Sequence, residues 1–313
     1  MKRYKCTVSY AGAHYGGWQI QKNNTSVQAV IEEVLFSITR EKITITAAGR
    51  TDAGVNAKGQ VFHFDTEREM TPYKWMGALN GLLPPDIHIE SIEETDMHFH
   101  ARYCVLSKQY DYRINLGKYD VLTREYVWQC PYTLDVEKMK EASSYFLGTH
   151  DFTAFNATPL SEKPNQVRTI EAIEFNRDGD ILTISFTGRG FLRYMVRMMT
   201  AQLIEAGRGR ISPEEIQELL DTRSKTTVMK NARPEGLTLM KVNYFRVLAE
   251  NEDLMIREFI GEEEKPDLPD VYAVSLRHEE KVVGYVQITG QEKKVHLYDE
   301  TYTDKLTDLL DKF

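Results

Sequence analysis

The fold is decided around one loop, which lies in residues 43–64, ITITAAGRTDAGVNAKGQVFHF. β-Branched and aromatic residues dominate residues 43–46 and 60–64, which predicts a strand on each side of the loop. Asp52 stands in this loop between Gly49 and Gly54. A carboxylate on a loop between two strands is supported by a rigid scaffold and stays accessible, so Asp52 is the first candidate for catalysis. The same Asp-x-Gly pattern is also typical of an ordinary turn.

The first hundred residues alternate between strand and helix patterns. Strands are predicted at residues 4–9, 43–46, 60–64 and 86–92. Ser26 is a suitable N-cap for a helix, because apolar residues follow it at helical spacing as far as Ile38. A second helix is predicted at residues 73–83, where Pro84 and Pro85 end it. This alternation indicates a layered α+β domain.

The alternation is repeated after Ser107. Strands are predicted at residues 108–114, 169–175, 180–187 and 239–245, and helices at residues 136–147 and 191–206. A further helix is predicted from Ser212 as N-cap, with Pro213 in its first position. Beyond Leu248, an acidic linker with prolines at residues 261–270 precedes predicted strands at 271–276, 282–288 and 295–298 and a short helix at 303–310.

The distribution of charge separates the tail from the body. The chain of 313 residues has a net charge of −8, and residues 251–313 contain 16 Asp and Glu against 8 Lys and Arg. Residues 1–250 are therefore neutral overall, and residues 189–233 are locally basic. A basic stretch of this kind is what contacts to phosphates require, although a solvated helical face has the same composition.

Cysteine, histidine and apolar residues indicate a soluble cytoplasmic protein without a metal site. Cys6, Cys104 and Cys130 are an odd number at wide spacing, which predicts reduced thiols. The histidines are scattered and show no metal-ligand spacing. No uninterrupted apolar run approaches the length of a signal sequence core or a membrane span.

The sequence resembles the TruA-type tRNA pseudouridine synthases, whose hallmark is a Gly-Arg-Thr-Asp-Ala-Gly-Val-His-Ala loop. Here that loop is Gly49-Arg50-Thr51-Asp52-Ala53-Gly54-Val55-Asn56-Ala57. The resemblance covers most of residues 1–248. Further shared motifs are Tyr15-Gly16-Gly17-Trp18-Gln19, Leu79-Asn80, Phe99-His100-Ala101-Arg102, Lys108-Gln109-Tyr110-Asp111-Tyr112, Phe191-Leu192-Arg193-Tyr194-Met195-Val196-Arg197 and Glu235-Gly236-Leu237.

The resemblance implies which side chains form the active site. Asp52 is the catalytic carboxylate, Arg197 lies beside it, and Tyr110 packs against the target uracil. A cation next to Asp52 is expected to lower the pKa of its carboxyl group and keep it charged. The substrate-binding residues that the resemblance implies are Tyr110, Arg50, Arg193, Lys108 and Arg102.

The resemblance also implies the fold and the partners. The expected fold is α+β, with two ferredoxin/RRM-like β/α halves whose sheets join into one mostly antiparallel sheet around a central basic cleft. The N-terminal half is expected at residues 1–106, the C-terminal half at 107–248, and a small acidic β/α extension of unknown role at 249–313. The partner is expected to be tRNA, modified at positions 38 to 40 of the anticodon stem-loop by a homodimer without cofactor, metal or membrane contact.

Three departures from the family leave the substrate open. The family usually has Asp where this chain has Ala11, His in place of Asn56, and Gly in place of Ala201. A non-catalytic or redirected RNA-binding paralogue with an acidic regulatory tail is therefore the alternative, and a nucleoside hydrolase ranks below it. Whether the carboxylate acts as a nucleophile or removes a sugar proton to give a glycal-like intermediate stays open as well.

Overall fold

The structure is a computed structural model. It describes residues 1–95, 97, 99–224, 230–244, 247–250, 255–257, 272–278, 281–289, 292–298 and 306. The predicted linker at 261–270 lies outside the described residues, and so does nearly all of the predicted helix at 303–310. By their internal contacts, residues 1–97 and 107–242 form one compact unit, and residues 98–106 and 243–313 form a second.

Five α-helices lie in the described residues. They are α1 (Val27–Thr39), α2 (Pro72–Leu82), α3 (Val136–Ser144), α4 (Met195–Gly207) and α5 (Glu215–Thr222). Short 3-10 helices are found at Gly12–His14, Thr153–Phe155 and Pro234–Gly236. None of the α-helices within the described part of the chain is long and apolar enough to cross a membrane.

Fifteen strands lie in the described residues. Those of the large sheet are β1 (Lys2–Tyr10), β2 (Thr46–Ala47), β3 (Asn56–Thr66), β4 (Ile87–Thr95), β5 (Val105–Asn115), β6 (Trp128–Gln129), β7 (Gly148–Asp151), β8 (Val167–Asp178), β9 (Ile181–Gly188) and β10 (Leu237–Tyr244). Those of the small sheet are β11 (Val247–Glu250), β12 (Met255–Arg257), β13 (Tyr272–His278), β14 (Lys281–Thr289) and β15 (Glu292–Leu297).

The large sheet has the order β4-β1-β3-β10-β5-β9-β8-β7, and it is mostly antiparallel. Strand β10 lies next to β3 in parallel, with Thr238 opposite Asn56 and Leu239 opposite Ala57. The chain thus returns from its C-terminal part into the middle of the sheet. This arrangement places the start of β3, directly after the Asp52 loop, beside the start of β10.

The first helix shows how local sequence determines structure in this chain. The Ser26 side chain accepts a hydrogen bond from the Ala29 backbone N–H and caps α1, as predicted. Val27, Ile31, Val34 and Leu35 recur at helical spacing and are buried. The predicted strand at residues 43–46 is wrong for its first three residues, because only Thr46 pairs with β3.

Two helix starts differ from the predictions. Helix α4 begins at Met195 rather than at residue 191, because the preceding residue, Tyr194, has a left-handed backbone with φ 63°. Helix α5 begins at Glu215, and Ser212 is not its cap. The Ser212 backbone N–H instead donates to the Glu215 carboxylate at 2.5 Å.

The second unit contains the small antiparallel sheet, with the order β11-β12-β13-β14-β15. Its β13, β14 and β15 confirm the three predicted strands of the extension. Leu276, Val283, Val286 and Leu306 are buried in it, and Arg277 is buried as well. In the same unit, the Tyr244 hydroxyl donates to the Ala101 carbonyl at 2.9 Å.

Candidate active site

Asp52 lies in the tight loop between β2 and β3. Gly54 has φ 77°, a value that favours glycine, and the loop closes with a hydrogen bond from the Val55 backbone N–H to the Asp52 carbonyl at 3.1 Å. Gly17, with φ 99°, packs against the other side of the loop. A Cβ on Gly17 would lie only 2.6 Å from the Thr51 carbonyl oxygen, so no other residue fits at this close approach.

Three side chains attach this loop to the sheet. The Lys108 ammonium group donates to the Ala48 carbonyl at 2.8 Å, and the Gln60 amide donates to the Gly49 carbonyl at the same distance. The hydroxyl groups of Tyr10 and Thr51 are also 2.8 Å apart. The backbone before Asp52 is therefore fixed by the neighbouring strands β1, β3 and β5.

Arg197 of α4 forms an ion pair with Asp52. Its Nη1 lies 3.2 Å from Asp52 Oδ2, and the side chains of Arg197 and Asp52 are 12% and 20% exposed. Arg197 Nε donates to the Ala232 carbonyl at 2.8 Å, and the Ala232 backbone N–H donates to the Arg197 carbonyl at 3.0 Å. The guanidinium group is thus held between the Asp52 carboxylate and the Ala232 carbonyl, and the carboxylate remains partly accessible.

The pKa of the Asp52 carboxyl group is raised from its ordinary value of 3.8. Burial has the largest effect, because it removes water from the charged form, whereas the charges of Arg197 and Arg193 act in the opposite direction. From the sequence, the neighbouring cation was expected to lower this pKa below its ordinary value. That expectation is wrong, because the net shift is upward. Arg197 does favour the ionised form, but burial outweighs it.

Tyr110 of β5 adds an aromatic side chain to this site. It is buried, and its ring meets that of Phe191 edge to face, with the ring centres 5.2 Å apart. Burial raises the pKa of the Tyr110 phenol, and the charges of Tyr10 and Asp52 raise it further. The phenol is consequently neutral near pH 7, and it lies close enough to Asp52 for the charge of the carboxylate to affect its pKa.

The other predicted substrate-binding residues lie in different surroundings. Arg193 is exposed, and its guanidinium carbon is 4.9 Å from the centre of the Tyr194 ring. Arg50 is exposed on the loop of Asp52. Lys108 is directed at the Ala48 carbonyl beneath that loop. Arg102 belongs to the second unit, where it is exposed and lies 5.9 Å from the centre of the Tyr103 ring.

Several residues of the site were missed by reasoning from the sequence. Tyr10, Gln60 and Ala232 act through hydrogen bonds between distant segments, for which the sequence contains no signal. Tyr194 stands inside the quoted Phe191–Arg197 motif, but a left-handed backbone is rare for tyrosine and was not expected there.

Asn56, one of the departures from the family, has a structural place. Its side-chain carbonyl accepts the Gly12 backbone N–H at 2.8 Å, and its amide donates to the carbonyls of Glu125 and Glu235 at 3.2 Å each. Asn56, which follows the Asp52 loop, is therefore hydrogen-bonded to three distant segments of the chain. Of the other two departures, Ala201 is buried in α4, and Ala11 donates its backbone N–H to the Asp86 carbonyl at 3.0 Å.

The three cysteines form no disulfide bond, and the described residues provide no metal cluster. Cys6 and Cys104 are buried, and Cys130 is partly exposed. Within the described ranges, no three or more His, Cys, Asp or Glu side chains are grouped so that they could hold a metal ion.

Comparison with known proteins identifies the family. The family model described as tRNA pseudouridine synthase matches residues 7–104 and 142–245. The chain is 44% identical over 246 residues to tRNA pseudouridine synthase A 1 of Bacillus cereus. The matched region covers 78% of this chain and 99% of that protein. It is 43% identical over 246 residues to tRNA pseudouridine synthase A of Oceanobacillus iheyensis, with 78% and 97% covered. It is 44% identical over 248 residues to tRNA pseudouridine synthase A of Listeria monocytogenes, with 78% and 100% covered. The chain therefore belongs to the tRNA pseudouridine synthase family, which is a family of isomerases.

Proposed function

We propose that this protein isomerises uridine to pseudouridine at positions 38 to 40 of the tRNA anticodon stem-loop, with Asp52 as its catalytic carboxylate. The observation that supports this most is the ion pair of Asp52 with Arg197, with 3.2 Å between Oδ2 and Nη1, in a partly accessible site next to Tyr110. Family membership supports tRNA as the substrate class.

The reaction needs one carboxylate that is ionised before the base departs. The N1–C1′ bond breaks, the uracil turns, a C5–C1′ bond forms, and the proton on C5 is released. Asp52 assists either by adding to the substrate as a nucleophile or by removing a sugar proton. Arg197 opposes the effect of burial on the carboxylate and so favours the ionised form that the reaction needs.

A uridine of a folded tRNA reaches Asp52 only after it leaves its stack. An aromatic or apolar surface must then replace the lost stacking, which contributes about 1 to 3 kcal/mol per base. Tyr110 and Phe191, in edge-to-face contact at 5.2 Å, offer such a surface. Arg193 and Arg50 are exposed cations suited to the phosphates next to the extruded nucleotide, and Arg50 is also suited to the space that the nucleotide leaves.

The finer features of the family resemblance complete the proposal. Two ferredoxin-like β/α halves, residues 1–106 and 107–248, build the large sheet, and a basic cleft between them takes the RNA. The protein acts as a homodimer in the cytoplasm, and the two subunits share one tRNA. Gel filtration with light scattering, alone and with tRNA, tests the dimer separately from the chemistry.

The experiment that tests the proposed site is chemical mapping of pseudouridine. An unmodified tRNA with uridines at positions 38, 39 and 40 is incubated with the wild type, with Asp52→Asn and with Asp178→Asn, an exposed carboxylate of β8 that serves as matched control. We expect pseudouridine at one or more of these positions with the wild type and the control, and none with Asp52→Asn.

Three other results would each contradict part of the proposal. Pseudouridine at other tRNA positions would overturn the assignment of positions 38 to 40. It would still support isomerisation of uridine as the reaction. Binding without any product from the wild type would favour the RNA-binding paralogue. Release of free uracil in place of pseudouridine would favour the hydrolase.

A further inference from the structure

Tyr194 has a backbone conformation that its position does not explain. In the described residues, three non-glycine residues have positive φ: Arg40, Tyr194 and Arg223. Arg40 and Arg223 follow the last turns of α1 and α5, where a left-handed residue commonly ends a helix. Tyr194 is instead the N-cap of α4, with φ 63° and ψ 1°, although an N-cap normally has an extended backbone. Such strain is typical of functional sites.

The backbone around Tyr194 is held in this conformation from both sides. The Arg193 carbonyl accepts the Ala157 backbone N–H at 3.0 Å, and the Arg193 backbone N–H donates to the Thr158 hydroxyl at 3.3 Å. The Tyr194 carbonyl accepts the Met198 backbone N–H at 2.9 Å, which is the first hydrogen bond of the helix. The direction of the Tyr194 side chain is thus determined by its neighbours rather than by its own preference.

The ring of Tyr194 interacts with two guanidinium groups. The central carbon of Arg193 is 4.9 Å from the ring centre and that of Arg197 is 5.2 Å from it, and both distances are within the range of cation–π attraction. Arg193 Nη2 also donates weakly to the Tyr194 hydroxyl at 3.4 Å. The Tyr194 ring therefore attracts both positively charged groups.

The same two cations act on Asp52. Arg197 is its ion-pair partner, and Arg193 contributes a favourable charge from farther away. The charge of Asp52 also raises the pKa of the Tyr110 phenol on β5, and the charge of Glu162 acts on Arg193. Arg50 is the charged neighbour on the loop of Asp52 itself. Burial opposes ionisation of Asp52, and the charges of these two cations favour it.

We infer that Tyr194 is a positioning residue whose ring orients Arg193 and Arg197 toward Asp52 and so determines the lower pH limit of turnover. The inference rests on the proposed function, because the turnover in question is that of Asp52. Tyr194 acts on Asp52 through these two arginines. Its strained backbone is the means by which the ring reaches both guanidinium groups at the start of α4.

Two substitutions separate the ring from the hydroxyl group. Tyr194→Phe keeps the aromatic face and removes only the weak hydrogen bond to Arg193. Tyr194→Leu removes the aromatic face and keeps an apolar side chain. A multiply fluorinated phenylalanine at position 194 keeps the shape of the ring and weakens its attraction for cations, so it tests the same point without disturbing the fold.

The first measurement is kcat and KM for tRNA across pH. We expect Tyr194→Phe to behave like the wild type. For Tyr194→Leu and the fluorinated variant, we expect the acidic limb of kcat to move up by about one pH unit, which is about a tenfold loss of kcat on that limb, with KM changed less than twofold. Equal profiles for Phe, Leu and the fluorinated residue, or a change confined to KM, would overturn the inference.

The second measurement distinguishes this inference from the proposed function. Carboxyl groups of aspartate are labelled with carbon-13, the Asp52 signal is assigned with Asp52→Asn, and its titration is followed by NMR in the full chain. We expect the fluorinated residue, but not phenylalanine, to raise the pKa of Asp52. If Asp52 is not catalytic, this titration still shows whether Tyr194 acts on it, and an unchanged titration in the fluorinated variant would overturn the inference on its own.

Discussion

Arg197 Nη1 lies 3.2 Å from Asp52 Oδ2, although 145 residues separate the two along the chain. The carboxylate comes from a glycine-bounded loop and the guanidinium from a helix whose remaining side chains are mostly buried. Because Arg197 is also bound to the Ala232 carbonyl, its position does not depend on Asp52 alone. The pair is therefore an arrangement that exists before substrate binds, which is what electrostatic preorganisation requires.

Arg197→Met removes the cation and leaves the carboxylate. We expect kcat to fall about 100-fold and its acidic limb to move to higher pH, because only the more distant charge of Arg193 then opposes the effect of burial on the pKa of Asp52. Arg197→Lys keeps a charge, so it should recover part of kcat. Measurement of initial rates across pH checks this. An Arg197→Met enzyme with the wild-type acidic limb would show that Arg197 does not act on the charge of Asp52.

Asp52→Asn should not destabilise the protein. The raised pKa of Asp52 means that the folded state binds its proton more tightly than the unfolded state. The stability that this group contributes is thus fully present below its ordinary pKa and is lost as pH rises through the raised value. At pH 7 we expect the free energy of unfolding of Asp52→Asn to be higher than that of the wild type, with the difference shrinking toward pH 3.8.

Urea unfolding of both proteins at several pH values measures this difference. The raised pKa already includes the attraction of Arg197 for the carboxylate, so the difference between Asp and Asn at position 52 should be larger when both proteins carry Arg197→Met. A difference that grows as pH falls would contradict the direction of the pKa shift.

Lys108 was predicted to bind substrate, but its hydrogen bond to the Ala48 carbonyl indicates a second role, which is to support the Asp52 loop. If it positions the Asp52 loop, Lys108→Met should lower kcat about tenfold and leave the salt dependence of tRNA binding unchanged. A phosphate contact would instead show as weaker binding with a smaller salt slope. Nitrocellulose filter binding at several salt concentrations, together with kcat, distinguishes the two roles. Lys108→Arg is the matched control that keeps the charge.

The acidic tail is expected to weaken non-specific RNA binding. Residues 251–313 contribute the whole net charge of −8. Deletion of these residues should tighten binding of an unrelated RNA at low salt, where contacts to phosphates dominate, and should have little effect at high salt. A truncated chain with the same salt-dependent affinity as the full chain would remove this role for the tail.

Local sequence patterns predicted most helices and strands. They did not predict which distant strands pair with each other. Helix α1 was predicted from the Ser26 cap and the spacing of Val27 and Ile31, all of which lie within a few turns. The parallel contact of β10 with β3, with Thr238 opposite Asn56, depends on tertiary packing for which no local pattern exists. The start of α4 at Met195 depends likewise on the hydrogen bonds of the Arg193 backbone, which accepts from the Ala157 N–H and donates to the Thr158 hydroxyl.

The same division applies to the site. The glycines around Asp52 and the family motifs identified the loop, and the structure places Asp52 next to Arg197. The sign of the pKa shift of Asp52 could not be predicted, because it depends on how much water the folded chain removes from the carboxylate. The ring of Tyr194 was missed for a similar reason, since its contacts with Arg193 and Arg197 require a backbone conformation that tyrosine rarely adopts.

Release of tritium from tRNA that contains 5-tritiated uridine tests the central claim most directly, because C5 loses its hydrogen only when the new C5–C1′ bond has formed. We expect release by the wild type and by Asp178→Asn, with pseudouridine recovered in equal amount, and no measurable release by Asp52→Asn. Release by Asp52→Asn at the wild-type rate would contradict the assignment of Asp52 as the catalytic carboxylate.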